Sequence, residues 1–296
     1  MDEPLTDGVV GLRPDPDVAP PATSYVVEHD GRPVGRVGLH RTGPHEGELS
    51  FSLAVGQCGH GFATRAVRLV VGHALDSLGM SRVQARVEPG NDRAIRVATR
   101  SGLLREGLLR VEPGHGDQPE DTEYVLLARL RSDPPLGDPR GFRTLLNSFL
   151  PRKRAIAQLL ARDTAGRVLL CRLTYKQDWD LPGGVVEVNE SPRQAASREV
   201  AEELALELPA GALLLTDWLP PWSGWDDALC LVFDGGAHAP SLLEAAVLQP
   251  REIREVAFCT PEEVRERCAD FTARRVESAL ASLDGRGVPY TESGRG

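Results

Sequence analysis

Lysine is nearly missing from this 296-residue chain: it occurs only at Lys153 and Lys176, and arginine carries the rest of the positive charge. The formal net charge of -9, with no basic stripe, excludes nucleic acid as a bulk electrostatic partner. Cysteine is sparse as well. Cys58, Cys171, Cys230, Cys259 and Cys268 are scattered without a C-x-x-C or a His/Cys metal spacing, which argues against a zinc site or a disulfide framework and fits a reducing compartment. No apolar run approaches membrane-spanning length, and the opening MDEPLTDGVV lacks the basic and apolar regions of a secretory signal. The expectation is a soluble, cytoplasmic protein with no membrane partner. What remains is an ordinary globular composition at a length that suits two domains.

The stretch richest in chemistry is residues 183–206, GGVVEVNESPRQAASREVAEELAL. Ser191 is a good N-cap, Pro192 suits the first helical position, and Gln194 completes a capping box, so a helix starts here. Glu199, Glu202 and Glu203 fall at i, i+3 and i+4, on one helix face. They crowd the later turns, where the helix dipole gives a carboxylate nothing. A hard divalent cation that takes oxygen ligands would favour them there.

The stretch resembles the signature of the Nudix hydrolases, G-x5-E-x7-R-E-U-x-E-E-x-G-U with U a bulky apolar residue. Gly184, Glu190, Arg198, Glu199, Val200, Glu202, Glu203 and Leu206 occupy its positions, and Ala205 stands where glycine is usual. A left-handed Ala205 would cost on the order of 1 kcal/mol, so the turn is expected to have relaxed. The resemblance implies hydrolysis of a nucleoside diphosphate linked to another moiety, dependent on Mg2+ or Mn2+. It implies that Glu199, Glu202, Glu203 and the Gly184 carbonyl hold metal, that Arg198 anchors the acids by bidentate pairing, and that Glu190 is an accessory carboxylate. The general base is open between a glutamate of this stretch and a late-loop acid, either Glu252 or its neighbour Glu255.

The first half carries a second signal. An alternating strand over residues 49–55 enters Gly56-Gln-Cys-Gly-His-Gly-Phe-Ala, and residues 64–78 then repeat apolar positions at helical spacing. A Gly-rich turn at a helix start exposes backbone N–H groups to a phosphate. Asn91 caps a further helix that Gly102 ends, and strands follow near 106–111 and 123–130. This arrangement resembles the acetyl-CoA-binding half of the GNAT N-acetyltransferases. Val55, Gly59, His60, Gly61, Phe62, Ala63, Thr64 and Asn91 are the positions the resemblance assigns to acetyl-CoA. Cys58 replaces the usual Gln or Arg, Ala94 a common Ser and Arg65 a frequent Glu. Only residues 14–23 are available for the two helices with which that family shapes its acceptor site. Glu48, His60 and Tyr124 are general-base candidates by residue type alone. A working transferase, an acyl-CoA-binding domain and a fold kept for packing all remain open.

The expected architecture is α/β (α+β) with two domains: a GNAT-like mixed sheet with helices over residues 1–133 and a Nudix α/β/α sandwich over 151–284. A Pro/Gly-rich linker at 134–150 separates them, with a short helix over 142–150 that docks the second domain, and 285–296 is expected to be a disordered tail. Trp218, Trp222 and Trp225 cluster around Pro220-Pro221 downstream of the acidic stretch, where an aromatic could stack on a nucleobase; Trp218, Trp222 and Pro221 are the candidates for that contact. The partners implied are a small-molecule nucleotide and acetyl-CoA. The leading expectation is a metal-dependent pyrophosphohydrolase; a bifunctional enzyme and a nucleotide sensor are the alternatives.

Overall fold

The computed structural model describes residues 5–15, 22–111 and 122–296. The chain divides into two compact units, residues 1–151 and 152–296.

The first unit is built on one twisted sheet. Its strands are β1 (Leu5–Thr6), β2 (Gly11–Pro14), β3 (Ala22–His29), β4 (Arg32–Gly43), β5 (Glu46–Leu53), β6 (Arg82–Val87), β7 (Leu104–Val111) and β8 (Thr122–Leu130), in spatial order β1-β2-β3-β4-β5-β6-β8-β7. Helix α1 (Phe62–Gly72) runs on through a π-helical turn, His73–Ser77, and buries Ala66, Val67, Val70 and Val71 against Val37, Leu39 and Val83 of the sheet. Helix α2 (Asp92–Arg100) starts where Asn91 Oδ1 accepts from the Ala94 N–H at 3.1 Å. Strands β5 and β6 are parallel but pair only from Glu46–Glu48 to Arg82–Gln84, although β5 continues to Leu53 and β6 to Val87. Beyond Glu48 the two strands part, and the glycine-rich turn lies at the open end.

The segment expected to be a linker is largely helix. Asp138 caps α3 (Pro139–Phe149), whose Ser148 hydroxyl accepts from the Arg105 N–H of β7 at 3.2 Å. It packs on β7, within the first unit. The segment expected to shape an acceptor site lies mostly at 16–21, outside the described residues.

In the second unit the strands are β9 (Arg154–Asp163), β10 (Val168–Leu173), β11 (Trp179–Asp180), β12 (Gly183–Val185), β13 (Leu213–Leu219), β14 (Ala228–His238), β15 (Ile253–Cys259) and β16 (Tyr290–Glu292). The sheet order is β11-β10-β9-β14-β13-β16, with β12 on β9 and β15 on β10. Alternation along β9 feeds two cores. Ala157, Leu159 and Ala161 meet Ala195, Ala196 and Val200 of α4 (Pro192–Leu204), while Leu160 meets Val276 and Ala279 of α6 (Asp270–Leu283). Between β15 and α6 lies α5 (Pro261–Arg267), capped by Thr260. The result is a sheet with a helix layer on each face.

The C-terminal segment, expected to be disordered, is ordered instead. Strand β16 runs parallel to β13, and Thr291 is fully buried because Asp217 needs it: its Oδ1 accepts from Thr291 Oγ1 at 2.7 Å and from the Gly294 N–H at 2.8 Å. Among the described residues no helix is long and apolar enough to cross a membrane.

Candidate active site

Helix α4 delivers the acids as its sequence requires. Ser191 and Gln194 form the reciprocal capping box, and Pro192 opens the helix. The helix ends at Ala205, which has not relaxed: its φ of 55° and ψ of 30° are left-handed. Its N–H reaches the Ala201 carbonyl at 3.0 Å, and this closing bond, together with burial of Leu206 and Leu208 after it, holds an alanine where glycine would be unstrained.

Arg198 is the hub of the site. It grips Glu190 bidentately, Nε to Oε1 at 2.8 Å and Nη2 to Oε2 at 3.0 Å, and also donates to Glu202 at 2.7 Å and Glu199 at 2.9 Å. A further donation, from Nη2 to the Val185 carbonyl at 3.3 Å, ties the helix to β12. Glu203 turns the other way and accepts from the Gly183 N–H at 3.0 Å. Gly184 packs so close to Glu199 that a Cβ there would fall 2.5 Å from its carboxylate. Any side chain at this position would have to displace the Glu199 carboxylate, which Arg198 holds at 2.9 Å.

The electrostatics separate the acids. Arg198 holds Glu190 below the usual carboxylate range. Burial pushes Glu203 up to about 8, against the Gly183 hydrogen bond and with help from the charges of Glu199, Glu252 and Asp180. Burial also raises Glu199, opposed by Arg198 and aided by Glu202 and Glu252. Desolvated acids of this kind fit a hard cation, which would supply the charge they lack. Among the described residues no three His, Cys, Asp or Glu side chains converge on one point, because Arg198 draws Glu199 and Glu202 while Gly183 draws Glu203. The acids thus lie within one turn of α4, with Glu203 and Glu199 as the desolvated members.

Of the two late-loop acids, Glu252 is the one whose charge reaches both Glu199 and Glu203. Glu255 pairs on β15 with Arg172 of β10 at 3.7 Å. Tyr175 is a neighbour that the sequence does not announce. Thr174 clamps its loop to that of Glu252, with Oγ1 to the Arg251 carbonyl at 2.6 Å and N–H to the Glu252 carbonyl at 2.8 Å, and Lys176 pairs with Asp180 at 2.7 Å. Tyr175 is exposed between these anchors, and its phenol is raised above the usual tyrosine range by desolvation and by the charges of Asp180, Glu203 and Glu252, against Lys176. No spacing rule links Tyr175 to α4.

Among the tryptophans, Trp218 is half-buried and its indole N–H donates to Asp227 at 3.3 Å. Trp222 is exposed beside exposed Pro221, and so is Trp225 of the same cluster.

In the first unit, Gly59 and Gly61 have φ of 91° and 82°, and Gly61 is the N-cap of α1. Val55 is fully exposed, Phe62 and Ala63 are buried in the first turn, and the Thr64 carbonyl accepts from Ser101. His60 stacks on Phe62 at 5.4 Å, and His29 packs on the same ring at 4.5 Å. Asn91 is occupied as a helix cap. Of the residues named as general bases by type, two come together: Glu48 accepts from Arg86 at 2.8 Å, and Arg86 lies 6.0 Å from the centre of the Tyr124 ring.

Comparison with known proteins agrees with this division. Residues 151–279 match the NUDIX domain model and residues 16–104 the acetyltransferase (GNAT) domain model. A MutT-like protein of Streptomyces ambofaciens is 32% identical over 143 residues, 47% of this chain and 81% of that protein. A CTP pyrophosphohydrolase of Escherichia coli is 31% identical over 36% of this chain and 76% of its own length. An uncharacterized N-acetyltransferase of Bacillus licheniformis, p20, is 30% identical over 29% of this chain, which spans half of that relative's length.

Proposed function

The chain belongs to the Nudix hydrolase family through residues 151–279, and from that premise we propose that its second unit hydrolyses the diphosphate of a nucleoside diphosphate derivative with Mg2+ or Mn2+. The observation that carries the reading is the pairing of two desolvated carboxylates, Glu199 and Glu203, with the Gly183–Gly184 backbone. Glu199, Glu202, Glu203 and the Gly184 carbonyl would hold the cation. A bound divalent cation supplies the positive charge that a diphosphate needs while water attacks phosphorus. Arg198 keeps Glu190, Glu199 and Glu202 in register. Glu252, whose charge reaches the same acids, accepts the proton of the attacking water. A nucleotide-hydrolysing relative, the CTP pyrophosphohydrolase, supports a nucleoside phosphate as substrate class.

A second activity has its own support. The parted strands β5 and β6, with the positive-φ glycines at the start of α1, support acetyl-CoA as the ligand of the first unit. Glu48, with Arg86 and Tyr124 beside it, is the general-base candidate for acetyl transfer there.

The test of the hydrolase is a panel of nucleoside diphosphate derivatives with Mg2+ or Mn2+, read by release of nucleoside monophosphate. Turnover lost in Glu203→Gln supports the reading. A broad panel without metal-dependent turnover overturns it.

A further inference from the structure

Tyr175 and Lys176 leave the end of β10 toward opposite faces of the second sheet. Cys171 and Leu173 belong to the core under α4, and pairing toward β15 continues one residue beyond the strand, where the Thr174 N–H donates to the Glu252 carbonyl at 2.8 Å. Side chains alternate along such a run, so Tyr175 falls on the α4 side. Lys176 obeys the same alternation. Its ammonium pairs at 2.7 Å with Asp180, which accepts from Gln158, and Gln158 accepts in turn from Arg275 of α6.

On the α4 side this end of the sheet meets the acids. The loop that carries Glu252 is tied to the last turn of α4, with the Val247 N–H donating to the Leu204 carbonyl at 2.8 Å and the Gln249 N–H to the Glu203 carbonyl at 2.9 Å. Thr174 is clamped to the same loop through the Arg251 and Glu252 carbonyls, and its own carbonyl accepts from Arg254 at 2.8 Å. The backbone on which Tyr175 stands is thus fixed beside Glu203 and Glu252. Its side chain is nonetheless 70% exposed. The Tyr290 hydroxyl donates to Glu292 at 3.1 Å, whereas among the described residues the Tyr175 hydroxyl has no hydrogen-bond partner. Desolvation and the charges of Asp180, Glu203 and Glu252 hold the proton on this phenol against Lys176, so it acts as a donor. Arg198 and Lys176, the cations nearby, already donate to carboxylates.

We propose that Tyr175 is a substrate-binding residue of the second unit, its hydroxyl donating to a phosphate oxygen of the diphosphate held at Glu199 and Glu203. This rests on the hydrolase reading for its substrate. A hydrogen bond to an ionised oxygen is among the stronger ones, and an exposed side chain on a clamped backbone makes it with little rearrangement.

The full-length protein is titrated by calorimetry with methylenediphosphonate, a diphosphate that cannot be hydrolysed, in the presence of Mn2+, and hydrolysis of the nucleotide panel is followed in parallel. Expected is saturable binding, weakened about tenfold by Tyr175→Phe and to a similar extent by Tyr175→Ala. Affinity for Mn2+ without the diphosphonate should be equal in all three proteins, and KM in turnover should rise with the loss of binding. No binding by the parent, equal affinity in the parent and Tyr175→Phe, or a Mn2+ affinity that falls in Tyr175→Phe overturns the contact. Binding that falls in Tyr175→Phe, in a protein that hydrolyses nothing, leaves the contact standing and overturns the hydrolase.

Discussion

Arg275 donates from Nε to Asp217 Oδ2 at 2.8 Å, with both side chains almost completely out of solvent. The same guanidinium donates to Gln158 at 3.0 Å and lies 3.9 Å from Asp180, so a buried charge network runs from α6 to β9 and β11. Removing one partner of such a pair leaves a buried charge uncompensated. Asp217→Ala should therefore lower unfolding free energy by about 3–5 kcal/mol, measured by urea denaturation.

The same aspartate explains the order of the C-terminal strand. Deleting residues 290–296 strips Asp217 of the Thr291 and Gly294 donors. Both donors bond Asp217 Oδ1, so the expected loss is about 1–3 kcal/mol for that one acceptor left unpaired, together with exposure of the β13 edge. Denaturation of the truncated protein should give a midpoint below that of the full chain.

Glu203 predicts an unusual pH dependence in the metal-free protein. Its folded value of about 8 lies above its unfolded value of 4.5, so between these the folded state binds more protons than the unfolded one. Stability then falls as pH rises through that window. Glu203→Gln removes this slope and should be more stable than the parent at pH 8, by at most on the order of 4 kcal/mol, with little difference at pH 5. Mg2+ or Mn2+ should raise the thermal midpoint of the parent at pH 8 more than that of the variant. Thermal unfolding at the two pH values, with and without cation, reads both effects.

Much of the site is legible in the chain because it is local. Ser191, Pro192 and Gln194 specify the start of α4 through bonds no more than three residues long, and the spacing of Glu199, Glu202 and Glu203 fixes their common face. Ala205 departs from its expected relaxed turn because Leu206 and Leu208 are buried next to it in the chain, and this tertiary packing overrides the preference of one residue. The tail departs from expectation for a similar reason. Polar and Gly-rich, residues 285–296 look disordered until Asp217, more than seventy residues away, supplies the acceptor they bond to. Tyr175 reaches its position through β10–β15 pairing, which no spacing encodes.

Ala205 gives a direct test of that override. A non-glycine residue in the left-handed region costs roughly 1–2 kcal/mol, while glycine gives back about 0.4–1 kcal/mol through the unfolded chain. Ala205→Gly should thus stabilise the protein by about 0.5–1 kcal/mol without changing hydrolysis. Paired denaturation and activity measurements would show a shifted midpoint at constant kcat.

The first unit offers the sharpest test of its glycine turn. Gly61 caps α1 with a φ of 82°, and a Cβ there meets no atom within 4 Å, so the side chain of a replacement has room and only the backbone resists. Gly61→Ala should then leave the packing of Phe62 and α1 intact but strain the turn by about 1–2 kcal/mol. Relief by moving out of that conformation would turn the N–H groups at the helix start away from a bound pyrophosphate. Acetyl-CoA affinity should fall about tenfold, measured by calorimetry on the full chain, while nucleotide hydrolysis by the second unit stays as it was. Equal acetyl-CoA affinity in parent and variant would mean that the turn does not hold the cofactor. No heat from either protein would leave the first unit without a cofactor at all.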